Sequence, residues 1–264
     1  MSDIAILHMS VDENEEDSYF RLLVDGRHFK YISIEANVYA VDDLVFPPSL
    51  LSQLPPLPPG DWNLGHITKS PTTTTGPQFA WTTRKSFTGI RHTWHPVRVD
   101  YLSLSLGRKL MSNVFEATCS SAAISAQSPV IAKFARFPWE TSNYETETEV
   151  YSWIAGRGIG PSFLGHITEE GRVIGFLMEK VVGRHAGIED LEACRIAVKK
   201  LHQEGIYHGD LNKHNFLVSS DREICLIDFE TARKGKDQQP MDRELSDLED
   251  QLRTTSTRGG TEMI

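Results

Sequence analysis

Tyr207-His208-Gly209-Asp210-Leu211-Asn212-Lys213-His214-Asn215-Phe216-Leu217-Val218, followed by Leu226-Ile227-Asp228-Phe229-Glu230, is the stretch that decides the reading of this chain. Phe216-Leu217-Val218 and Ile224-Cys225-Leu226-Ile227 are short apolar runs, and Ser219-Ser220-Asp221-Arg222 between them is turn-like, which predicts a β-hairpin. In an antiparallel hairpin the start of the first strand and the end of the second share one edge. Asn215 opens the first strand, Asp228 closes the second, and Asp210 lies in the loop just before. Phosphoryl transfer needs hard oxygen ligands for Mg²⁺ and a carboxylate to orient the attacking hydroxyl. One edge of this hairpin supplies all three.

The two motifs together resemble the protein-kinase-like superfamily. His208-Gly209-Asp210 with Asn215 five residues on matches the spacing His-x-Asp-x-x-x-x-Asn of the catalytic loop, and Asp228-Phe229-Glu230 stands where protein kinases carry Asp-Phe-Gly. The resemblance implies Asp210 as the base, with Asn215 and Asp228 as Mg²⁺ ligands. The His-Gly-Asp and Asp-Phe-Glu forms look more like those of aminoglycoside phosphotransferases and choline kinases, and the whole chain is similar to a group of small fungal kinase-like proteins. The fold so implied is α+β, protein-kinase-like and bilobal, with a minimal C-terminal lobe and a β-rich N-terminal region ahead of it. The cofactors implied are ATP and Mg²⁺, and the activity is transfer of the γ-phosphate to a hydroxyl of a small molecule or a protein. The alternative is a pseudokinase-type module that binds a nucleotide or a partner without catalysis.

Composition bounds these readings. The chain of 264 residues is long enough for one large domain or two small ones. A net charge of -9 with no basic stripe argues against nucleic-acid binding. Cys119, Cys194 and Cys225 are widely spaced and form no metal or redox motif. The N-terminus has neither a basic start nor a sustained apolar run, so no signal peptide or membrane span is expected, and a cytoplasmic location is.

Three regions are expected: a β-rich N-terminal region over 1–98, a kinase-like small lobe over 99–180, and a truncated large lobe with a C-terminal helix and tail over 181–264. In the first, Tyr19–Val24 and His28–Ile34 flank an Asp25-Gly26 turn as a hairpin. Prolines between Pro47 and Pro59 punctuate the chain, as a stiff connector packed on its own domain or a polyproline segment that docks to a protein partner. Thr72 to Thr75 with Gly76-Pro77 read as a loop tip. Trp62, Trp81, Trp94, Phe46, Phe79 and Phe87 are expected to pack this region's core.

In the second region Leu102, Leu104 and Leu106 alternate as a strand, Gly107 opens a turn, and Val114 begins the return. By the resemblance this is the loop over the nucleotide phosphates, with Gly107 and Val114 against the cofactor; Lys109 and Ser112 replace its other glycines. Val130–Ala135 is a buried-strand pattern that contains Lys133, and an ammonium there needs a counter-charge. Asn143 to Ala155 reads as a helix whose apolar face runs through Val150, Tyr151 and Ile154. Glu147 is on that face and pairs with Lys133, whereas Glu145 and Glu149 point to solvent. The resemblance gives Lys133 the phosphates to hold and Glu147 the task of positioning it. It places Met178 and Glu179 where a hinge meets the adenine, and Lys213 near the transferred phosphate.

The departures carry expectations too. Gly209 stands where protein kinases have an arginine that grips an activation-loop phosphate, so no such control is expected, and Thr231→Ala should leave activity intact. Only 36 residues follow Asp228, with no Ala-Pro-Glu motif. Met241, Leu245, Leu248 and Leu252 predict one amphipathic helix, and Arg258-Gly259-Gly260 reads as a disordered tail.

Overall fold

Hydrophobic alternation and turn chemistry build the first part of the chain. In a computed structural model, which describes residues 3–13, 16–69, 76–120, 124, 129–235 and 237–254, strands β1 (Ile4–Ser10), β2 (Ser18–Val24) and β3 (His28–Ile34) form an antiparallel meander. Asp25 and Gly26 both adopt positive φ (53° and 66°) in the β2–β3 turn, as a tight hairpin requires. Helices α1 (Val41–Val45) and α2 (Pro47–Gln53) follow, then β4 (Leu64–Thr68), parallel to β3, and β5 (Gln78–Thr83). The sheet order is β1-β2-β3-β4-β5, and Phe20, Leu22, Ile32, Ile34, Trp62 and Ile67 belong to its core.

One of the two proline readings holds here, and the aromatic expectation changes. Pro47-Pro48 open a helix, because proline's fixed φ and missing N–H suit a first turn. Further on, Leu57 packs against the core and Pro58 accepts a hydrogen bond from Trp62 Nε1 at 2.8 Å, so this segment lies on its own unit. Not all the aromatics are core: Trp81 is 46% and Phe46 58% exposed, and Trp94 packs against the core of the second unit. The Thr72–Thr75 and Arg258-Gly259-Gly260 segments lie outside the described residues.

Two compact units meet in sequence between Phe87 and Thr88. The second contains β6 (Arg98–Asp100), β7 (Leu104–Met111), β8 (Val114–Cys119), β9 (Val130–Phe134), α3 (Asn143–Ile154), β10 (Phe163–Glu169) and β11 (Arg172–Glu179). Its main sheet has the order β6-β10-β11-β9-β8-β7. After β12 (Arg184–His185) come α4 (Leu191–Gln203), β13 (Ile206–Tyr207), β14 (Phe216–Val218), β15 (Ile224–Leu226), β16 (Arg233–Lys234) and α5 (Gln238–Arg253). The predicted β14–β15 hairpin forms, with Phe216 opposite Leu226. Cys194, Val198 and Leu201 of α4 meet Leu248 and Leu252 of α5 in one core with Phe216 and Phe229.

The β7–β8 hairpin corrects the expected turn. Gly107 continues β7, and the chain reverses at Ser112-Asn113. Asn113 fixes that reversal, because its carbonyl accepts from Phe134 N and its side-chain amide bonds to the Tyr144 hydroxyl. The described residues thus form a mixed α+β protein with five helices, none long and apolar enough to cross a membrane.

Candidate functional site

Strand β9 is buried along its whole length, and Lys133 is its one charged side chain. Neighbouring β11 comes very close at this point because residue 175 is glycine: a Cβ there would lie 2.2 Å from Lys133 O. Lys133 Nζ is 2.8 Å from Glu147 Oε2, 2.8 Å from Asp228 Oδ1 and 3.0 Å from Glu230 Oε1. It donates a hydrogen bond to Asp228 and forms an equally close ion pair with the buried Glu147 carboxylate. Burial works against the ammonium, but the three carboxylates outweigh it and hold the Lys133 pKa well above its ordinary value. Burial pushes Glu147 up to about 7, with Lys133 opposing and Asp228 adding to the rise.

Glu230 is a site residue that the sequence reading did not single out. Its signal was the glutamate at the third position of Asp-Phe-Glu. The carboxylate oxygens of Glu147, Asp228 and Glu230 lie within 4.8 Å of one another, and these are hard donors of the kind Mg²⁺ takes. Asp228 itself has φ of 67°, an aspartate in the left-handed region at the end of the hairpin.

A pocket opens beside this cluster. Lys133, Glu147, Asn215 and Asp228 line it together with the apolar Val114, Ile131, Met178, Leu217 and Ile227. Met178 accepts from the Tyr151 hydroxyl through Sδ at 3.2 Å. Glu179 also lines the pocket, but its N–H already donates to Ser162 O at 2.9 Å. His185 and His214, which the sequence reading passed over, line it too, with their rings edge to face at 5.0 Å. Gly107, Asp210 and Lys213 are not among the lining residues.

The loop before β14 is held mainly through its backbone. Asn215 Nδ2 donates to Asp210 O at 2.7 Å, and Ile227 N donates to Asn215 O at 3.1 Å. His208, fully buried, bonds through Nε2 to Ile227 O at 3.0 Å, and its carbonyl accepts from Thr231 Oγ1 at 3.0 Å. Glu244 of α5 accepts from the amides of His208 (3.1 Å) and Gly209 (2.6 Å) and pairs with His202 Nε2 at 2.7 Å. Burial raises the Glu244 pKa, but these bonds outweigh it and leave the group below its ordinary value. Gly209 has φ of +83°, and a Cβ there would lie 2.8 Å from Thr231 O, so no larger residue fits. The Asp210 carboxylate is exposed, with Asn212 Nδ2 at 3.4 Å from Oδ2.

The second unit thus brings together carboxylates at the end of a hairpin, an aspartate in the adjoining loop and a lysine that faces the carboxylates. Residues 180–262, just under a third of the chain, match the model of the lipopolysaccharide kinase (Kdo/WaaP) family, which is part of the protein-kinase-like superfamily. That match supports a kinase-like phosphotransferase, and it includes Asp210, Asn215, Asp228 and Glu244. A comparison with curated proteins finds no match.

Proposed function

We propose that this chain transfers the γ-phosphate of ATP to a hydroxyl by direct in-line displacement. The observation that carries the reading is that Lys133, Asn215 and Asp228 line one pocket together with several apolar side chains. In this reading the second unit is bilobal, with 99–180 as the small lobe and 181–264 as a reduced large lobe. The apolar side chains Val114, Met178 and Leu217 take the adenine. Lys133 holds the phosphates, and Glu147 positions Lys133. Asn215 and Asp228 hold Mg²⁺. Bound Mg²⁺ and ATP supply the phosphoryl group and neutralise the charge that develops as it moves. The exposed Asp210 orients the acceptor hydroxyl and takes its proton, and Lys213 stabilises the charge that develops on the transferred phosphate. Preorganised charge carries most of the acceleration, because the reaction asks for little covalent help.

A second reading, binding without catalysis, draws on two observations. Lys133 is hydrogen-bonded to Asp228 itself, and Gly107 does not line the pocket. Thermal melting with Mg²⁺ and ATP, on the wild type and on Asp228→Ala, needs no knowledge of the acceptor. Ligand at a hundredfold over Kd adds about 2.7 kcal/mol, on the order of several degrees in Tm. A Mg²⁺-dependent rise that Asp228→Ala abolishes supports the nucleotide site. No rise at millimolar ATP removes it, and a rise without turnover of any hydroxyl acceptor favours the second reading.

A further inference from the structure

Glu145 and Glu147 stand two residues apart on α3 and do opposite things. Glu147 points inward to Lys133 and is fully buried. A buried carboxylate of this kind is tolerated while an ammonium stands opposite, so the position of α3 matters. Glu145 was expected to be solvated; instead it grips another part of the chain. Its carboxylate accepts from the amides of Arg91 and His92, each at 2.9 Å.

Those amides belong to the extended segment 88–97, and the same segment makes two more contacts with α3. Trp94 Nε1 donates to Thr148 O at 3.0 Å, and His92 Nε2 lies 3.3 Å from Ser152 Oγ. Residues 145, 148 and 152 follow the i, i+3, i+7 spacing of one helix stripe. The segment therefore runs along one face of α3, while Glu147 points from another.

Its other side is fastened to the sheet. Ile90 N donates to Val173 O at 2.8 Å, His95 N to His166 Nε2 at 3.2 Å, and His166 N to Val97 O at 2.9 Å. The approach is close enough to demand glycine at two places. A Cβ at Gly89 would lie 2.7 Å from Val173 O, and one at Gly165 would lie 2.9 Å from the Val97 side chain. The segment is thus stapled between the β10–β11 hairpin and α3.

We propose that residues 88–97 are a strap that keeps α3 in the register where Glu147 meets Lys133, with Glu145 and Trp94 as its positioning residues. The ion pair is then assembled by the chain itself, with no partner or covalent modification needed to bring α3 in. The expected effect on nucleotide affinity rests on the functional reading above, but the effect on α3 does not.

Hydrogen–deuterium exchange of the full chain without ligand tests the strap directly. Glu145→Gln gives up the charge-assisted bonds to two amides, and exchange over 144–154 should quicken about tenfold or more, with α4 (191–203) unchanged. Trp94→Phe keeps the ring beside Phe163 but loses the Nε1 donor, and gives a smaller rise over the same residues. Unchanged α3 exchange in both variants overturns the strap, as does a uniform rise through α3 and α4, which means general loosening. The second readout is Mg²⁺·ATP affinity in a double-mutant cycle. If Glu145 acts through Glu147, then Glu145→Gln adds nothing to the loss caused by Glu147→Gln, whereas additive losses refute the positioning role. A wild type that binds no Mg²⁺·ATP defeats the functional reading alone, and the exchange result then decides the strap.

Discussion

The cluster around Lys133 and the loop from His208 to Asn215 hold their chemistry in place by opposite means. Around Lys133 charged side chains hold one another, three carboxylates about a single ammonium, with Lys133 and Glu147 out of water. In the loop the backbone is held, by Glu244, Thr231, His208 and Asn215, and the Asp210 carboxylate is left to solvent. A group that must fix a nucleotide gains from rigid, mutually neutralising neighbours. A group that must meet an acceptor gains from a rigid backbone and an open side chain.

The sharpest way to break the first half is Lys133→Met. It leaves Glu147 buried with no counter-charge, which typically costs about 3–5 kcal/mol. Urea unfolding should register that loss. Adding Glu147→Leu in the same chain should return most of it, since an apolar pair of similar volume fills the space without a charge to bury. A single variant within about 1 kcal/mol of the wild type would contradict the account of a charge-held cluster.

Glu244→Ala tests the other half. It removes the acceptor of two amides and the partner of His202, and hydrogen bonds to a charged group contribute about 1.5–3 kcal/mol each. We expect a loss of about 2 kcal/mol in urea unfolding, because water reaches part of the site. Phosphate transfer should fall while Mg²⁺·ATP affinity stays near that of the wild type, because the loop orients the acceptor and not the nucleotide. Should affinity fall as far as in Lys133→Met, the two halves are one unit and the comparison fails. The sign with pH also follows. The folded pKa of Glu244 is depressed, so its contribution is present above the ordinary glutamate value of 4.5 and is lost as pH falls below it.

Much of this was legible in the sequence, and for definite reasons. The hairpins were readable because Asp25-Gly26 and Ser219–Arg222 interrupt apolar runs at the right spacing. The meeting of Lys133 with Glu147 was readable because a lysine in an all-apolar strand has to find a counter-charge, and helical spacing left one glutamate facing inward. What escaped was whatever depended on backbone partners far away in the chain. Glu145 reads as solvated from its helix face alone, and its role comes from the amides of Arg91 and His92. Glu244 lies in a charged run on α5, and nothing local says that it reaches the amides of a loop 35 residues earlier. Gly107 misled because glycine marks turns in general, while the real reversal was set by Asn113 and its bonds to Phe134 and Tyr144.

His166 sharpens the comparison from outside the site. It is buried, its Nε2 accepts from His95 N–H, and burial lowers its pKa to about 4, with Arg98, His95 and His92 adding to the effect. The unfolded chain takes up a proton near the ordinary histidine value of 6.5, and the folded chain resists it down to about 4. Stability therefore falls as pH drops across that window, by on the order of 2 kcal/mol after allowance for solvent screening. His166→Gln keeps an acceptor that does not titrate and should flatten this part of the pH–stability profile. An unchanged slope would mean that the histidine is not held neutral.

The smallest expected effect is at Thr231. Its hydroxyl donates to His208 O, and its own carbonyl crowds the position of Gly209, which is why no arginine can stand before Asp210. The contact is a single neutral hydrogen bond on an exposed residue, so Thr231→Ala should cost about 0.5–1 kcal/mol. Thr231→Ser keeps the hydroxyl and should cost less. Because the loop is also held by Glu244, His208 and Asn215, phosphate transfer in Thr231→Ala should stay within about twofold of the wild type. A large drop in Thr231→Ala that Thr231→Ser restores would show that this one bond sets the position of Asp210. A drop in both variants would point to a constraint at Thr231 beyond its hydroxyl, and the loop would then depend on side-chain packing as closely as the Lys133 cluster depends on charge.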